Sequence, residues 1–577
     1  MPVTSLRSAR AVVVLSCAAG FFLLCLWLAA GAEPAGVQKV FVASLMLCTL
    51  GVLTCALARP ATALVVSGAL FLALKFIATL KMRYLDSALM PSDFLYFAGT
   101  SLVDTLAHYP HLYALGIGLC VLVPLVLWLV WRGDVVLLRG RGALLGWAAR
   151  GAGVALFVLA FGLCLSPQGV FASVHSRNAW EKMTDDAQLT NFFVNLHDAD
   201  VQLPAMSSDD EAQAQWGATA GGAPGQARLG AHDAAVRPDI VQVLEESTFD
   251  PSIFAVCTVP QCRVRMFKPD ASTRGHGVLR VHTFGGGTWV SEFAALTGMP
   301  QDIFGPGGMY APYVLAPNVH NALALQLRRL GYTSIAVYPT GGSFINGRNA
   351  YQAYGFDHLY DASELGLDEW EETDAQMFAA ARRAYAKVKK PGKPVFVMVL
   401  TLNQHGPHDE DPRAKLPAPF NHGVLRGLKP AAALNFDTYL SRLQASDAAM
   451  RGLEHDFLDR PQPTVLVHFG DHQPSFEGLI RDMPRSLTPE LRPYRDYLTY
   501  YMVKSNFAGP PLPHYPMLDI AFLPTLVLQA AGLPTDPYFS ALTTLRERCN
   551  GRYTDCQVPG LLASYHAWVI GHLHVYE

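Results

Sequence analysis

The sequence predicts a chain in two parts: a five-helix transmembrane domain, then an α/β domain with a mainly parallel sheet covered by helices on both faces. Three observations predict it. The 577 residues are 51% hydrophobic and 16% charged, and the apolar ones crowd the first third. From residue 237 onward, short β-branched runs alternate with helical patterns, the signature of strands separated by crossover helices. Between the two textures, residues 203–236 are mostly small or polar and read as a flexible linker. The expected domains are therefore 1–167 in the membrane, 168–236 as juxtamembrane helices and linker, and 237–577 as the α/β domain. Net charge is −3, so nothing suggests a nucleic-acid partner.

The membrane part rests on five apolar runs, roughly Ala11–Ala32, Val40–Ala58, Ala61–Leu80, His111–Trp131 and Ala143–Ser166. Each approaches the ~20 residues that span a bilayer as a helix. Lys75 and Arg150 interrupt two of them and could snorkel. The first run could instead be a signal peptide, but it is long and four more follow. Arg7, Arg10, Arg59, Arg132, Arg139 and Arg141 fall on one side, which the positive-inside rule makes cytoplasmic. An odd number of spans then puts the α/β domain outside the cytoplasm. Between the third and fourth runs, Phe94, Tyr96 and Phe97 suit a segment lying at the membrane interface. Residues 168–202 suggest a juxtamembrane helix pair.

Of ten cysteines, six (Cys17, Cys25, Cys48, Cys55, Cys120, Cys164) lie in the apolar runs and read as small buried hydrophobes. The others form two close pairs, Cys257/Cys262 and Cys549/Cys556. In an external domain these suggest local disulfides. A metal site is the alternative, but no histidine stands at zinc-finger spacing beside either pair.

In the α/β domain, strands are expected at Ile240–Leu244 and in YTSIAVYP, KPVFVMVL and PTVLVHFG, with helical patterns at Asn321–Leu330, Thr373–Lys389 and Leu434–Phe457. Ligands collect at the carboxyl ends of such strands, and Glu246, His405, Asp471 and His472 all fall there. Asp471-His472 can make a metal pair or an acid–base pair. Gly285–Gly287 lead into Thr288 and an apolar, helix-like run. That stretch reads either as a loop presenting a hydroxyl at a helix start, suited to phosphate, or as a surface turn whose Thr caps a helix. Glu, Asp, His and Thr together offer three oxygens and one nitrogen. That set suits Mn²⁺ or Zn²⁺ better than a thiolate-seeking metal, and a bound cation would activate the threonine hydroxyl.

These motifs resemble the lipoteichoic acid synthase family of polyglycerol-phosphate transferases, membrane proteins of the alkaline phosphatase/sulfatase superfamily. Glu246-Ser247 matches that family's Glu-Ser after the first strand. Gly286-Gly287-Thr288-Trp289-Val290-Ser291-Glu292-Phe293 matches its nucleophile loop, Gln404-His405-Gly406-Pro407 its Asn-His-x-Pro element, and Gly470-Asp471-His472-Gln473-Pro474 its Gly-Asp-His-x-Pro element. The resemblance implies Glu246, Thr288, Asp471 and His472 as metal ligands, with Thr288 also the nucleophile and His405 near the phosphate or leaving group. Arg348 and Asn349 stand in a partial match to the element that binds the glycerol phosphate head, with Arg348 as a phosphate fork. Ile345 replaces that element's Trp, and Trp289 replaces the Ser after the nucleophile.

The implied activity is phosphoryl transfer in two steps. A phosphoglycerol group passes from phosphatidylglycerol to Thr288 and then to an envelope glycan or glycolipid. The cofactor would be a divalent metal, Mn²⁺ favoured, with Zn²⁺ or Mg²⁺ as alternatives. The place would be the inner (plasma) membrane, with the catalytic domain in the periplasm. The rival enzyme is a phosphoethanolamine transferase acting on lipid A or envelope glycans; the rival of another class is a non-catalytic envelope scaffold. A formylglycine sulfatase is disfavoured, because Thr288 cannot become formylglycine and no Cys/Ser-x-Pro-x-Arg element is present. A transporter is disfavoured by the lack of an internal repeat and by sparse intramembrane charge.

Overall fold

The computed structural model describes residues 2–85, 88–97, 110–137, 143–176, 186–196, 201–204, 209–220, 237–509 and 511–577. The chain divides into two compact units, Met1–Asp200 and Val201–Glu577.

The first unit contains α1 (Pro2–Ala29), α2 (Gly36–Leu57), α3 (Pro60–Leu85), α4 (Pro110–Gly133) and α5 (Ala143–Leu165). All five are long and apolar enough to cross a membrane. Small residues let them approach: a Cβ on Gly153 of α5 would lie 2.6 Å from Cys55 Sγ on α2. Cys25 and Cys48 are buried as expected, but Cys17 and Cys120 are exposed on the outside of their helices, where lipid rather than protein would cover them. Lys75 does not snorkel freely; it lies 3.8 Å from the buried Glu33 carboxylate. Arg150 instead donates to the carbonyls of Cys55 and Ala56 at the end of α2. Arg59 lies over the Trp131 ring at 4.1 Å, so the α2–α3 turn and the end of α4 share one end of the bundle. Short helices at Ala172–His175 and Gln188–Val194 follow α5. Asp93–Phe97 forms one helical turn with Phe94 exposed. Residues 98–109 lie outside the described residues.

The second unit is built on one sheet. Its strands are β1 (Asp239–Glu245), β2 (Thr273–Arg280), β3 (Thr333–Val337), β4 (His358–Tyr360), β5 (Val395–Leu400), β6 (Thr464–Gly470), β7 (Leu498–Ser505) and β8 (Leu518–Asp519). Their order is β4-β3-β5-β1-β6-β7-β2-β8. β4 to β6 run parallel across the centre, β7 is antiparallel to both β6 and β2, and β8 pairs with β2 in parallel. Side chains alternate across a strand, and here both faces are apolar. Ile240 and Leu244 join a core with Phe396, Val467 and the helices Thr288–Thr297, Leu523–Ala530 and Pro537–Arg548. Val241 and Val243 join another with Val397, Leu466 and the helices Asp374–Val388 and Pro430–Leu458. The four strands and three helices expected from the pattern are all present, within a few residues at their ends.

The linker expectation is corrected. Asp209–Ala220 is a helix, polar in composition but anchored by two residues four apart, Ala212 and Trp216. The Trp216 ring meets Tyr565 at 5.7 Å. The buried indole, with Thr219 hydrogen-bonded to Ser564 and Arg548 donating to the Ala220 carbonyl, holds a helix that its composition could not stabilise. Residues 205–208 and 221–236 of the same stretch lie outside the described residues. Both expected disulfides, Cys257–Cys262 and Cys549–Cys556, are formed.

Candidate active site and metal cradle

β1 and β6 are neighbours at the centre of the sheet, and each delivers its chemistry just past its last residue. Leaving β1, the chain turns sharply at Ser247, a non-glycine residue at φ 50. Leaving β6, it passes Gly470, where a Cβ would lie 1.7 Å from the Thr248 carbonyl oxygen. Only glycine permits that approach. The two turns therefore interlock, and Asp471-His472 come beside Glu246. The Ser247 and His472 amides both donate to Asp471 Oδ1 at 2.7 Å, fixing one carboxylate oxygen.

The third contribution is the glycine loop. Gly285 and Gly287 have φ of 68 and 80, and Gly285 donates to the Gln473 carbonyl at 2.9 Å, docking the loop on the turn after β6. Thr288 is the first residue of the helix Thr288–Thr297. Its Oγ1 donates to Glu246 Oε2 at 2.7 Å and lies 3.5 Å from His472 Nε2. The first reading of this stretch holds and the second does not: Gly287, not Thr288, is the N-cap, no side chain caps the helix, and the threonine hydroxyl at the helix start is turned into the site. Ser291, one turn on, donates to the Asp471 carbonyl at 2.6 Å, clamping the helix to β6.

Glu246, Asp471 and His472 are all buried, and one ligating atom of each lies within 4.8 Å of the others. His472 Nδ1 faces the Gln473 carbonyl at 3.1 Å, and a carbonyl can only accept. The ring proton therefore sits on Nδ1, and Nε2 offers a lone pair to the site. That lone pair lies 3.2 Å from Asp471 Oδ2 and 3.4 Å from Glu246 Oε1. Asp471 Oδ2 is buried with no donor among the described residues. Burial, then repulsion from Glu246, pushes the Asp471 carboxyl well above the usual range. Burial opposes the Glu246 charge too, but His472, His405 and the Thr288 hydroxyl hold that carboxyl below its ordinary value. Burial keeps His472 neutral, its pKa lowered. A cluster of inward-facing lone pairs, with one orphaned oxygen and two carboxylates that cannot both ionise alone, fits a divalent cation. The donors are oxygen-rich with one imidazole, as expected for a borderline or hard metal.

His405 flanks this cradle. Its Nδ1 lies 2.6 Å from the Gly406 carbonyl, leaving Nε2 for substrate, and Arg442 holds its backbone by donating to the His405 carbonyl at 2.7 Å. Arg348 is not the free phosphate fork expected from the sequence. Its guanidinium donates to Asp361 at 2.6 Å, Glu364 at 3.0 Å and the Leu359 carbonyl at 2.9 Å, so a phosphate would have to displace two carboxylates. Asn349 is exposed and donates to Asn346 at 2.7 Å. The preceding Ile345 is buried at φ 43, a costly conformation for a β-branched residue.

The burial and contacts of several residues around the site, one of them (Glu292) already in the nucleophile-loop match, were not readable from the sequence. Glu292, one turn past Thr288, is buried, and its carboxyl is pushed up to about 7 by burial and by Glu246 against the opposing hydrogen bond to Tyr351. Tyr439 donates to the Ser247 carbonyl at 3.2 Å, steadying the turn after β1. Upstream of the glycine loop, His282 is clasped between Asp302 at 2.7 Å and Asp519 at 3.0 Å. Asp519 lies 237 residues away in sequence, so no local spacing could have announced the pair.

Residues 238–532, which take in the whole of this site, match the model of the Sulfatase family. The chain belongs to the sulfatase family. Across nearly its whole length it is also similar to an uncharacterised protein of Haemophilus influenzae, 28% identical over 528 residues, 86% of this chain and 88% of the relative. A Rhizobium meliloti protein named for cyclic β-1,2-glucan modification is 26% identical over 318 residues, 53% of this chain and 47% of that one. Among solved structures, the integral membrane lipooligosaccharide phosphoethanolamine transferase A of Neisseria meningitidis aligns with 91% of this chain and 95% of its own. That alignment has a TM-score of 0.49 at 13% identity.

Proposed function

We propose that this sulfatase-family protein is a membrane-bound, metal-dependent phosphoglycerol transferase. On this reading it moves glycerol phosphate from phosphatidylglycerol to an envelope glycan, with the catalytic domain outside the cytoplasm. The observation that carries the reading is the Thr288 hydroxyl, hydrogen-bonded to Glu246 at 2.7 Å inside a cradle of inward-facing ligand atoms. A nucleophile so placed meets a phosphate at a helix start, where backbone amides favour an anion. Attachment to the membrane suits a lipid donor. The relative named for glucan modification supports a glycan acceptor.

Glu246, Asp471 and His472 would hold the metal, with Thr288 as a fourth ligand; Mn²⁺ is our assignment from the donor set. When bound, a divalent cation lowers the pKa of a coordinated hydroxyl and neutralises charge on phosphate oxygens. Thr288 Oγ1 gives up its proton toward Glu246 and bonds to phosphorus while the bond from phosphorus to the diacylglycerol oxygen breaks. His405 Nε2 delivers the proton that the departing oxygen needs. In the second step His405 takes the proton of an acceptor hydroxyl, whose oxygen bonds to phosphorus as the bond from phosphorus to Thr288 Oγ1 breaks, and the proton held by Glu246 returns to Thr288.

The test is release of diacylglycerol from labelled phosphatidylglycerol by the purified full-length protein with added metal. Release from phosphatidylethanolamine alone would make the protein a phosphoethanolamine transferase. Release from neither lipid, with cleavage of an aryl sulfate, would overturn the transferase reading.

A further inference from the structure

The loop Leu367–Thr373 is not used by the chemistry above. Its sequence, LDEWEET, sets one tryptophan among four acidic residues. Trp370 adopts φ 73, a left-handed conformation that a bulky residue takes only when its surroundings impose it. The surroundings are the site itself. The Trp370 ring lies 5.4 Å from the His405 imidazole and 4.9 Å, edge to face, from Phe344. Glu369 lies over the segment after β3, where a Cβ on Gly341 would come within 3.2 Å of its carboxylate. Asp368, Glu369 and Glu371 are exposed beside the indole, which is itself half-exposed. A tryptophan thus stands against His405, although the residue at 345 is Ile.

We propose that Trp370, with Asp368, Glu369 and Glu371, forms the acceptor subsite, and that it takes a neutral pyranose chain. The inference rests on the transferase reading above. A pyranose has an apolar face of C–H bonds that packs on an aromatic ring, and a rim of hydroxyls that donate to carboxylates. The arrangement supplies both, beside the imidazole that must take a proton from the attacking hydroxyl. It also selects against an acidic acceptor. Three exposed carboxylates repel phosphate or uronate groups, and Arg348, a cation near Gly342 on the same segment, is already paired with Asp361 and Glu364. The donor phosphate and the acceptor sugar therefore meet opposite electrostatic environments on the two sides of Thr288 and His405.

The experiment uses the full-length protein in detergent, with cyclic β-1,2-glucan as the neutral probe and a phosphate-substituted glucan as the anionic one. We expect saturable binding of the neutral glucan, at least tenfold weaker binding in Trp370→Ala, and a smaller loss in Trp370→Phe. Neutralising Asp368, Glu369 and Glu371 to their amides should narrow the preference for the neutral probe. Independently of any variant, saturating neutral glucan should protect Trp370 from N-bromosuccinimide oxidation, read by peptide mass. Unchanged oxidation at Trp370, protection by phosphoethanolamine instead of glucan, or tighter binding of the anionic glucan would each overturn the proposal. Diacylglycerol release without any glycan reports on the donor chemistry separately. Release without glucan binding removes the subsite alone, and glucan binding without release from either lipid removes the transferase reading alone.

Discussion

Two buried clusters in the α/β unit are made of the same residue types and behave oppositely. His282 sits between Asp302 and Asp519, with Arg280 at 3.2 Å from Asp519. Both its ring nitrogens are used as donors. Although burial opposes the charge, the two carboxylates raise its pKa to about 9. His472 sits between Glu246 and Asp471, yet one of its nitrogens donates to a carbonyl and the other is left as a lone pair. Burial wins there, the imidazole is neutral, and Asp471 keeps an oxygen with no donor among the described residues. The difference lies in where the second nitrogen points. An imidazole with carboxylates on both sides closes a cluster electrostatically. One turned by a carbonyl leaves the cluster short of positive charge and open to a cation.

The largest effect that tests this contrast is on the open cluster. Thr288→Ala should lower diacylglycerol release by on the order of 10⁴-fold, about 5 kcal/mol of barrier, without shifting the melting temperature. Thr288→Ser should recover part of it. A well-folded Thr288→Ala protein with appreciable turnover would replace the covalent intermediate by direct attack of the acceptor.

The closed cluster should answer in stability instead. His282→Ala leaves Asp302 and Asp519 without their shared donor and should cost roughly 3–5 kcal/mol in denaturant unfolding. Its bound-metal content should stay at the wild-type value. Loss of metal with no change in unfolding would reverse the roles assigned to the two clusters.

The pH dependence follows with a definite sign. The folded-state pKa of His282, about 9, exceeds the ~6.5 of an unfolded histidine. Its contribution is complete below about pH 6.5, declines through the interval, and is gone above about pH 9, for a total of roughly 3 kcal/mol. Unfolding curves at pH 6, 7.5 and 9.5 should show that fall, and His282→Gln should flatten it.

The smallest predicted effect separates repulsion from ligation. In the metal-free protein, Asp471→Asn removes a carboxylate that Glu246 repels, so stability should hold or rise slightly. Added Mn²⁺ at about 100 times its dissociation constant should stabilise the wild type by about 2.7 kcal/mol and leave the variant unmoved. An equal shift in both proteins would place the metal elsewhere.

Much of this was legible in the sequence, for an identifiable reason. Glu246, Thr288, Asp471 and His472 each follow a strand or open a helix, and a parallel sheet gathers such positions at one edge. The ion pairs of Arg348 were not legible because its partners, Asp361 and Glu364, become neighbours only once β4 and the short helix after it are formed. β2 and β7 carry glycine, arginine and tyrosine where a buried strand pattern calls for branched aliphatics, so neither stood out. The helix Asp209–Ala220 was hidden because its anchors pack and hydrogen-bond against residues more than three hundred positions later. Trp370 had no pattern at all; its role depends on a backbone conformation that composition does not encode.

Gly470 has a consequence for the order of events in the cell. By pressing the chain after β6 onto Thr248, it makes the cradle a product of two segments whose linking hydrogen bond, from Ser247 to Asp471, spans 224 residues. A ribosome needs roughly ten to fifty seconds to add that many residues. From the addition of Thr288 until residue 471 is reached, the nascent polypeptide carries its threonine and its first carboxylate, but not the two ligands that complete the set. Under the proposed mechanism, a growing or prematurely ended chain would be chemically silent toward a lipid donor, and reactivity would switch on only after the centre of the sheet has zipped shut.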